Sequence, residues 1–246
     1  MSRNFELLQQ LEREHEVFRA PGHASTHGNG NRSHLDLDTF SREESMKLVQ
    51  RLFLLPGSDA PRLLVFCGVE TGDGASWVCS RAGEMLASQV ESSICVVDAN
   101  LHTPFLHEYF RTDSLSGFTD AILQPGPIRD FAQRANGGNL WLLTCGSRSP
   151  DPHGLLNSER LRSRIAELRA AFDYVLIDGP PVNLYADTSL LGKLTDGVVL
   201  VVQANSTRRE AAKKAKESLE LANVRVFGTV LNKRRFPIPE CVYRRI

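Results

Sequence analysis

Six short runs of almost unbroken apolar residues recur along this chain, and they constrain its fold more than any other feature. They are Leu63–Cys67 (LLVFC), Ser93–Val97 (SICVV), Leu140–Leu143 (LWLL), Tyr174–Ile177 (YVLI), Gly197–Val202 (GVVLVV) and Val226–Leu231 (VFGTVL). A strand with one face in water alternates apolar and polar residues. A run that is apolar at nearly every position is buried on both faces, as in a parallel sheet covered by helices on each side. Between the runs lie stretches with helical periodicity, at Trp77–Gln89, Ser158–Ala171 and Arg208–Ala222. The alternation predicts an α/β domain over residues 39–236, a doubly wound, mostly parallel sheet with helices on both faces.

The flanks read differently. In residues 1–38, Met1–Phe18 sets Phe5, Leu7, Leu8, Leu11 and Val17 among charges, which predicts an amphipathic helix and not a signal peptide. Ala20–Asp38 is rich in Gly, Ser and Asn and reads as a flexible arm, its His23, His27 and His34 belonging to a solvated loop. A capping-box-like start at Ser41-Arg-Glu-Glu44 predicts a helix to about Leu54, stopped by Pro56-Gly57. Residues 237–246 form a basic tail. No stretch approaches the roughly 18 apolar residues that span a bilayer. Cys67, Cys79, Cys95, Cys145 and Cys241 are odd in number and show no CxxC spacing, so neither a zinc site nor a disulfide framework is expected, and Cys67 and Cys95, in apolar runs, read as buried thiols of a cytoplasmic protein. The 29 Lys and Arg balance 29 Asp and Glu, so no nucleic-acid partner is expected on overall charge. The balance hides a basic end: from Thr207 to Ile246, eleven Lys and Arg face four Glu, as on a solvated helix or a surface for an anionic membrane or acidic partner.

In open α/β sheets, ligands sit at the carboxyl ends of the strands. After the first run comes Gly68-Val-Glu-Thr-Gly72-Asp73-Gly74-Ala75-Ser76-Trp77, leading straight into a helix. Such a loop can wrap a phosphate with backbone N–H groups, and the helix N-terminus adds its dipole. The second and fourth runs end in Asp98 and Asp178. A carboxylate at a strand tip beside a phosphate loop is where magnesium is held.

These motifs resemble the bacterial tyrosine kinases of capsule and exopolysaccharide operons, within the partitioning-ATPase type of P-loop NTPase. The resemblance covers about Thr39 to Phe236. It rests on Tyr174-Val-Leu-Ile-Asp-Gly-Pro-Pro-Val182, Asp196-Gly-Val-Val-Leu-Val-Val202, Gly228-Thr-Val-Leu-Asn232 and Val97-Asp-Ala-Asn-Leu-His-Thr-Pro104. Gly117-Phe-Thr-Asp-Ala-Ile122 and Pro152-His-Gly-Leu-Leu156 add to it. The resemblance implies ATP or ADP with magnesium as cofactor. It places Gly72, Asp73, Gly74, Ala75, Ser76 and Trp77 around the phosphates and Asn232 at the adenine, with Ser76, Asp98 and Asp178 toward the metal and Asp98 as the catalytic carboxylate of an active enzyme.

The chain departs from the family where charge matters most. Ala75 stands where the family has lysine, and Trp77 where it has a small hydroxyl residue. Asn100 and His102 replace an Asp and an Arg, and Gly179 a Thr or Ser. Glu44, Lys47 and Gln50 fall on a subunit-joining pattern of which only the acid is unchanged, and the tail holds one tyrosine, Tyr243, where the family has a cluster. The expectation is therefore a degenerate kinase-like protein that regulates or scaffolds exopolysaccharide synthesis or export. Its partner would be the cytoplasmic part of a membrane polysaccharide copolymerase or chain-length regulator, with homo-oligomers as an option, at the inner face of the membrane. The alternatives are an active tyrosine kinase or ATPase in which Arg208 or Arg209 replaces the lysine, and a partitioning-type positioning ATPase.

Overall fold

A computed structural model describes residues 5–7, 42–54, 60–135, 137–148 and 151–234. The arm with its three histidines, the Pro56-Gly57 stop, Cys241, Tyr243 and the basic tail lie outside the described residues. The described residues form one eight-stranded sheet in the order β1-β8-β7-β2-β6-β3-β5-β4. Its strands are β1 (Phe5–Leu7), β2 (Leu63–Gly68), β3 (Ile94–Asp98), β4 (Gln133–Arg134), β5 (Leu140–Leu143), β6 (Tyr174–Asp178), β7 (Gly197–Gln203) and β8 (Val226–Asn232). All pairings are parallel except that of β4 with β5. The six strands read from the apolar runs are all present.

Strand alternation explains why those runs are apolar throughout. Leu63, Val65, Cys67, Cys95, Val97, Val175, Ile177, Val198 and Leu200 face one apolar cluster. Their neighbours Leu64, Phe66, Ile94, Val96, Leu176, Val199 and Val201 face a second. The first is closed by α4 (Phe118–Leu123), α6 (Glu159–Ala171), α7 (Asp187–Leu194) and α8 (Arg209–Leu221). The second is closed by α1 (42–54) and α2 (Ala75–Gln89). Short helices α3 (Leu106–Phe110) and α5 (Pro152–Leu156) complete the set.

Helix α1 ends in a wider π-helical turn, Gln50–Leu54, with Leu52 and Phe53 buried. Helix α2 lies so close to the sheet that a Cβ on Gly83 would stand 2.3 Å from Val96 Cγ2. Gly83→Ala should therefore cost about 1–2 kcal/mol, the overpacking outweighing the gain in helix propensity. Chemical denaturation reads this as a lower midpoint with an unchanged slope.

One expectation is corrected within the described residues. Phe5–Leu7, placed in an amphipathic helix on sequence grounds, is a strand parallel to β8. The triplet is apolar–charged–apolar, which fits both periods, and the open edge of β8 offers unpaired backbone groups that a helix would leave unsatisfied. Among the described residues, no helix is long and apolar enough to cross a membrane.

Candidate nucleotide and magnesium site

The loop after β2 is shaped by glycine at two left-handed positions, Gly72 with φ 91° and Gly74 with φ 84°. Gly74 is the N-cap of α2, and no side chain caps that helix. The first-turn N–H groups of α2, on Ala75, Ser76 and Trp77, therefore have no intrahelical partner and carry the positive end of the helix dipole.

Asp73 braces the loop from within. Its Oδ2 accepts hydrogen bonds from the Val69 and Glu70 amides, both at 2.9 Å. Its Oδ1 accepts from the Thr207 hydroxyl at 2.7 Å, which ties the loop to the turn between β7 and α8. The Asn232 amide nitrogen, at the end of β8, donates to the Asp73 carbonyl at 2.9 Å. Asn232 is fully buried and its Oδ1 has no hydrogen-bond partner. Any Cβ on Gly74 would collide with Asn232 Nδ2, at 2.4 Å. Asp73 and Asn232 thus hold the loop in shape, and Thr207 is a loop-bracing residue that sequence reasoning missed. Its only signal was a hydroxyl placed just after a strand end.

Two carboxylates stand beside the loop. Asp98 and Asp178 are register partners at the tips of β3 and β6, and both are fully buried. Asp98 Oδ2 accepts from the amides of Phe105 at 2.9 Å and Leu106 at 3.0 Å, and Oδ1 from Asn100 at 3.3 Å. Burial still pushes its pKa up to about 6, against the pull of those amides. Among the described residues, neither oxygen of Asp178 has a hydrogen-bond partner. Burial first, then the Asp98 charge, drive its pKa well above the usual carboxylate range, and the nearby Ser76 hydroxyl draws it partly back. A buried carboxylate without a donor, next to a second one, is a site short of positive charge. These residues fit a magnesium ion, a hard cation that takes carboxylate, hydroxyl and phosphate oxygens. Asp178, Asp98 and Ser76 would hold it, and it would supply charge neutralisation to a phosphate chain.

The remaining expected positions have the following surroundings. Ala75 is buried and packs with the second apolar cluster, against which Trp77 also leans half-buried. Asn100 turns onto its own loop, donating to Thr103 Oγ1 at 3.0 Å and accepting from the Thr103 amide at 3.2 Å. His102 Nε2 lies 2.7 Å from Asp187 Oδ2, and its ring stacks on Tyr185 with centroids 3.7 Å apart. Asp187, which opens α7, was not singled out from sequence. Gly179 is tightly enclosed, since a Cβ there would stand 3.0 Å from Val65 Cγ1 and 3.1 Å from Thr188 Oγ1. Arg208 and Arg209 lie exposed at the start of α8, and Thr207 is the residue of that turn that reaches the loop. Two lysines of α8 pair with acids one turn on, Lys213 with Glu217 and Lys216 with Glu220. On α1, Glu44 pairs with Lys47 of the same helix. Among the described residues, no three or more His, Cys, Asp and Glu side chains gather as a metal cluster.

Comparison with known proteins adds four findings. The chain is 32% identical to the tyrosine-protein kinase YwqD of Bacillus subtilis over 164 residues, which is 67% of this chain and 69% of that protein. The chimerical protein CapA2B2 superposes with a TM-score of 0.74 at 26% identity, covering 80% of this chain and 86% of that one. The kinase domain of the Escherichia coli tyrosine kinase ETK shares the fold, with a TM-score of 0.77 at 19% identity over 95% of this chain and 91% of that one. No family model matches the chain.

Proposed function

The chain belongs to the bacterial tyrosine-protein kinases of capsule and exopolysaccharide operons, and we propose that it is a member that binds magnesium-nucleotide but transfers phosphoryl groups poorly. It would act as a regulatory or scaffolding partner of a membrane polysaccharide copolymerase, at the inner face of the membrane. The observation that carries this reading is Ala75 at the first position of α2, in a loop that otherwise keeps two left-handed glycines and lies beside two buried carboxylates. Backbone amides at a helix N-terminus and a magnesium ion both attract a diphosphate. Transfer of the terminal group also needs a positive charge where negative charge moves during reaction.

The buried Asp98–Asp178 pair favours a second reading, an active kinase, because a metal-holding pair is what such an enzyme retains. Turnover separates the two. With magnesium and ATP, the purified protein should hydrolyse ATP and label its own tyrosines at least about 100-fold more slowly than YwqD assayed beside it. Comparable labelling that disappears in Asp98→Asn would establish the active kinase instead.

A further inference from the structure

The loop lacks its own lysine, yet another lysine stands against it. Lys233 directly follows Asn232 at the end of β8. Its side chain runs back to the loop so closely that a Cβ on Gly74 would meet Lys233 Cε at 3.6 Å. The residue is half-buried and takes a left-handed backbone, φ 55°, which is disfavoured for a side chain with a Cβ. That turn takes the chain out of β8 while its predecessor Asn232 stays bonded to the loop carbonyl of Asp73.

The surroundings call for a cation. Asp73, Asp98 and Asp178 are all buried at this end of the sheet. Among the described residues no hydrogen bond reaches the Asp178 oxygens, the Ser76 hydroxyl lying near them, and the loop position that would bear the family's lysine is Ala75. Arg208 and Arg209, the substitutes suggested by sequence, are exposed on α8. We propose that Lys233 is the cation that holds the phosphate chain of a nucleoside di- or triphosphate over this loop, a charge relocated from α2 to the end of β8. The inference rests on the nucleotide-binding reading given above. A primary ammonium suits the task, being a compact charge with three donors on a flexible stem. Lys233 reaches the loop from β8 and not along α2, so it serves ligand retention and leaves the terminal phosphoryl group without the family's lysine.

Calorimetric titration of the full chain with magnesium-ADP and magnesium-ATP tests this. Lys233→Met keeps the apolar stem and removes the charge, and should weaken both nucleotides about tenfold or more, as expected for loss of a charge-assisted contact. Lys233→Arg should stay within about threefold of the parent, and Arg208→Ala with Arg209→Ala should change nothing beyond about twofold, since both side chains are exposed to solvent and salt screens them. Melting temperatures of the variants control for folding; if Met lowers it, Lys233→Gln serves in its place. Equal affinity of the parent and the uncharged variant would assign Lys233 a packing role and overturn the inference alone. Failure of the parent to bind either nucleotide would overturn the nucleotide reading, and the inference with it.

Discussion

Asp178→Asn raises the melting temperature of the nucleotide-free protein by about 5–10 °C at neutral pH, corresponding to about 2–3 kcal/mol for a domain of this size. The reason is that both oxygens of Asp178 are buried with no hydrogen-bond partner among the described residues, beside a second buried carboxylate. An amide of the same shape carries no charge to desolvate. The sign of the pH dependence follows. Burial and the Asp98 charge raise the Asp178 pKa in the folded state above its value in the unfolded chain. The folded protein therefore suffers no penalty below the unfolded pKa, near 4, and loses stability as pH rises and the carboxyl is forced to ionise. Asp98, pushed up to about 6 by burial, adds to the same trend between about pH 4 and pH 6. The advantage of the Asn variant should shrink toward zero near pH 4. Magnesium should stabilise the parent and not the variant, which scanning calorimetry with and without chelator will show. A variant less stable than the parent at pH 7 would mean that Asp178 is satisfied by some group other than a metal.

Ala75→Lys carries the second large effect. It returns to α2 the charge that the family places at this position. Groups that stabilise charge at a transferring phosphate contribute about 10²–10³-fold each, so ATP turnover should rise by about 100-fold, with tighter nucleotide binding as well. Gly72 and Gly74 retain the left-handed turns that shape the loop, and Asp73 still braces it, so the new side chain meets a loop already formed. Tighter binding without faster turnover would locate the remaining defect in Asn100 and His102. Both side chains are engaged locally, Asn100 with Thr103 and His102 with Asp187. No change in either quantity would point to the Trp77 indole as the obstacle.

The central sheet could be read from sequence because its two faces impose the same demand at every position. Leu63 and Val65 belong to one cluster while Leu64 and Phe66 belong to the other, so no polar residue interrupts the run. The loop, Asp98 and Asp178 were legible because they directly follow such runs. The N-terminal strand was not, since Phe5, Leu7, Leu8 and Leu11 satisfy the period of a helix as well as that of a strand, and its pairing partner β8 lies at the other end of the chain. Helix α7 was missed because its eight residues include Thr188, Ser189 and Gly192 and show only two helical turns. Neither Thr207 nor Lys233 is marked by a motif. Thr207 meets Asp73 across 134 positions, and Asn232 brings its neighbour Lys233 to the loop across 159. Closeness of that kind is created by strand order, which local pattern does not encode.

The brace inside the phosphate loop has a consequence for how a ligand would come and go. Asp73, Thr207 and Asn232 already occupy the groups that would otherwise let the loop sample other shapes. Little ordering entropy is then left to lose on association, and arrival needs no rearrangement. Nucleotides that differ in affinity for this protein should accordingly reach it at similar rates and differ in residence time.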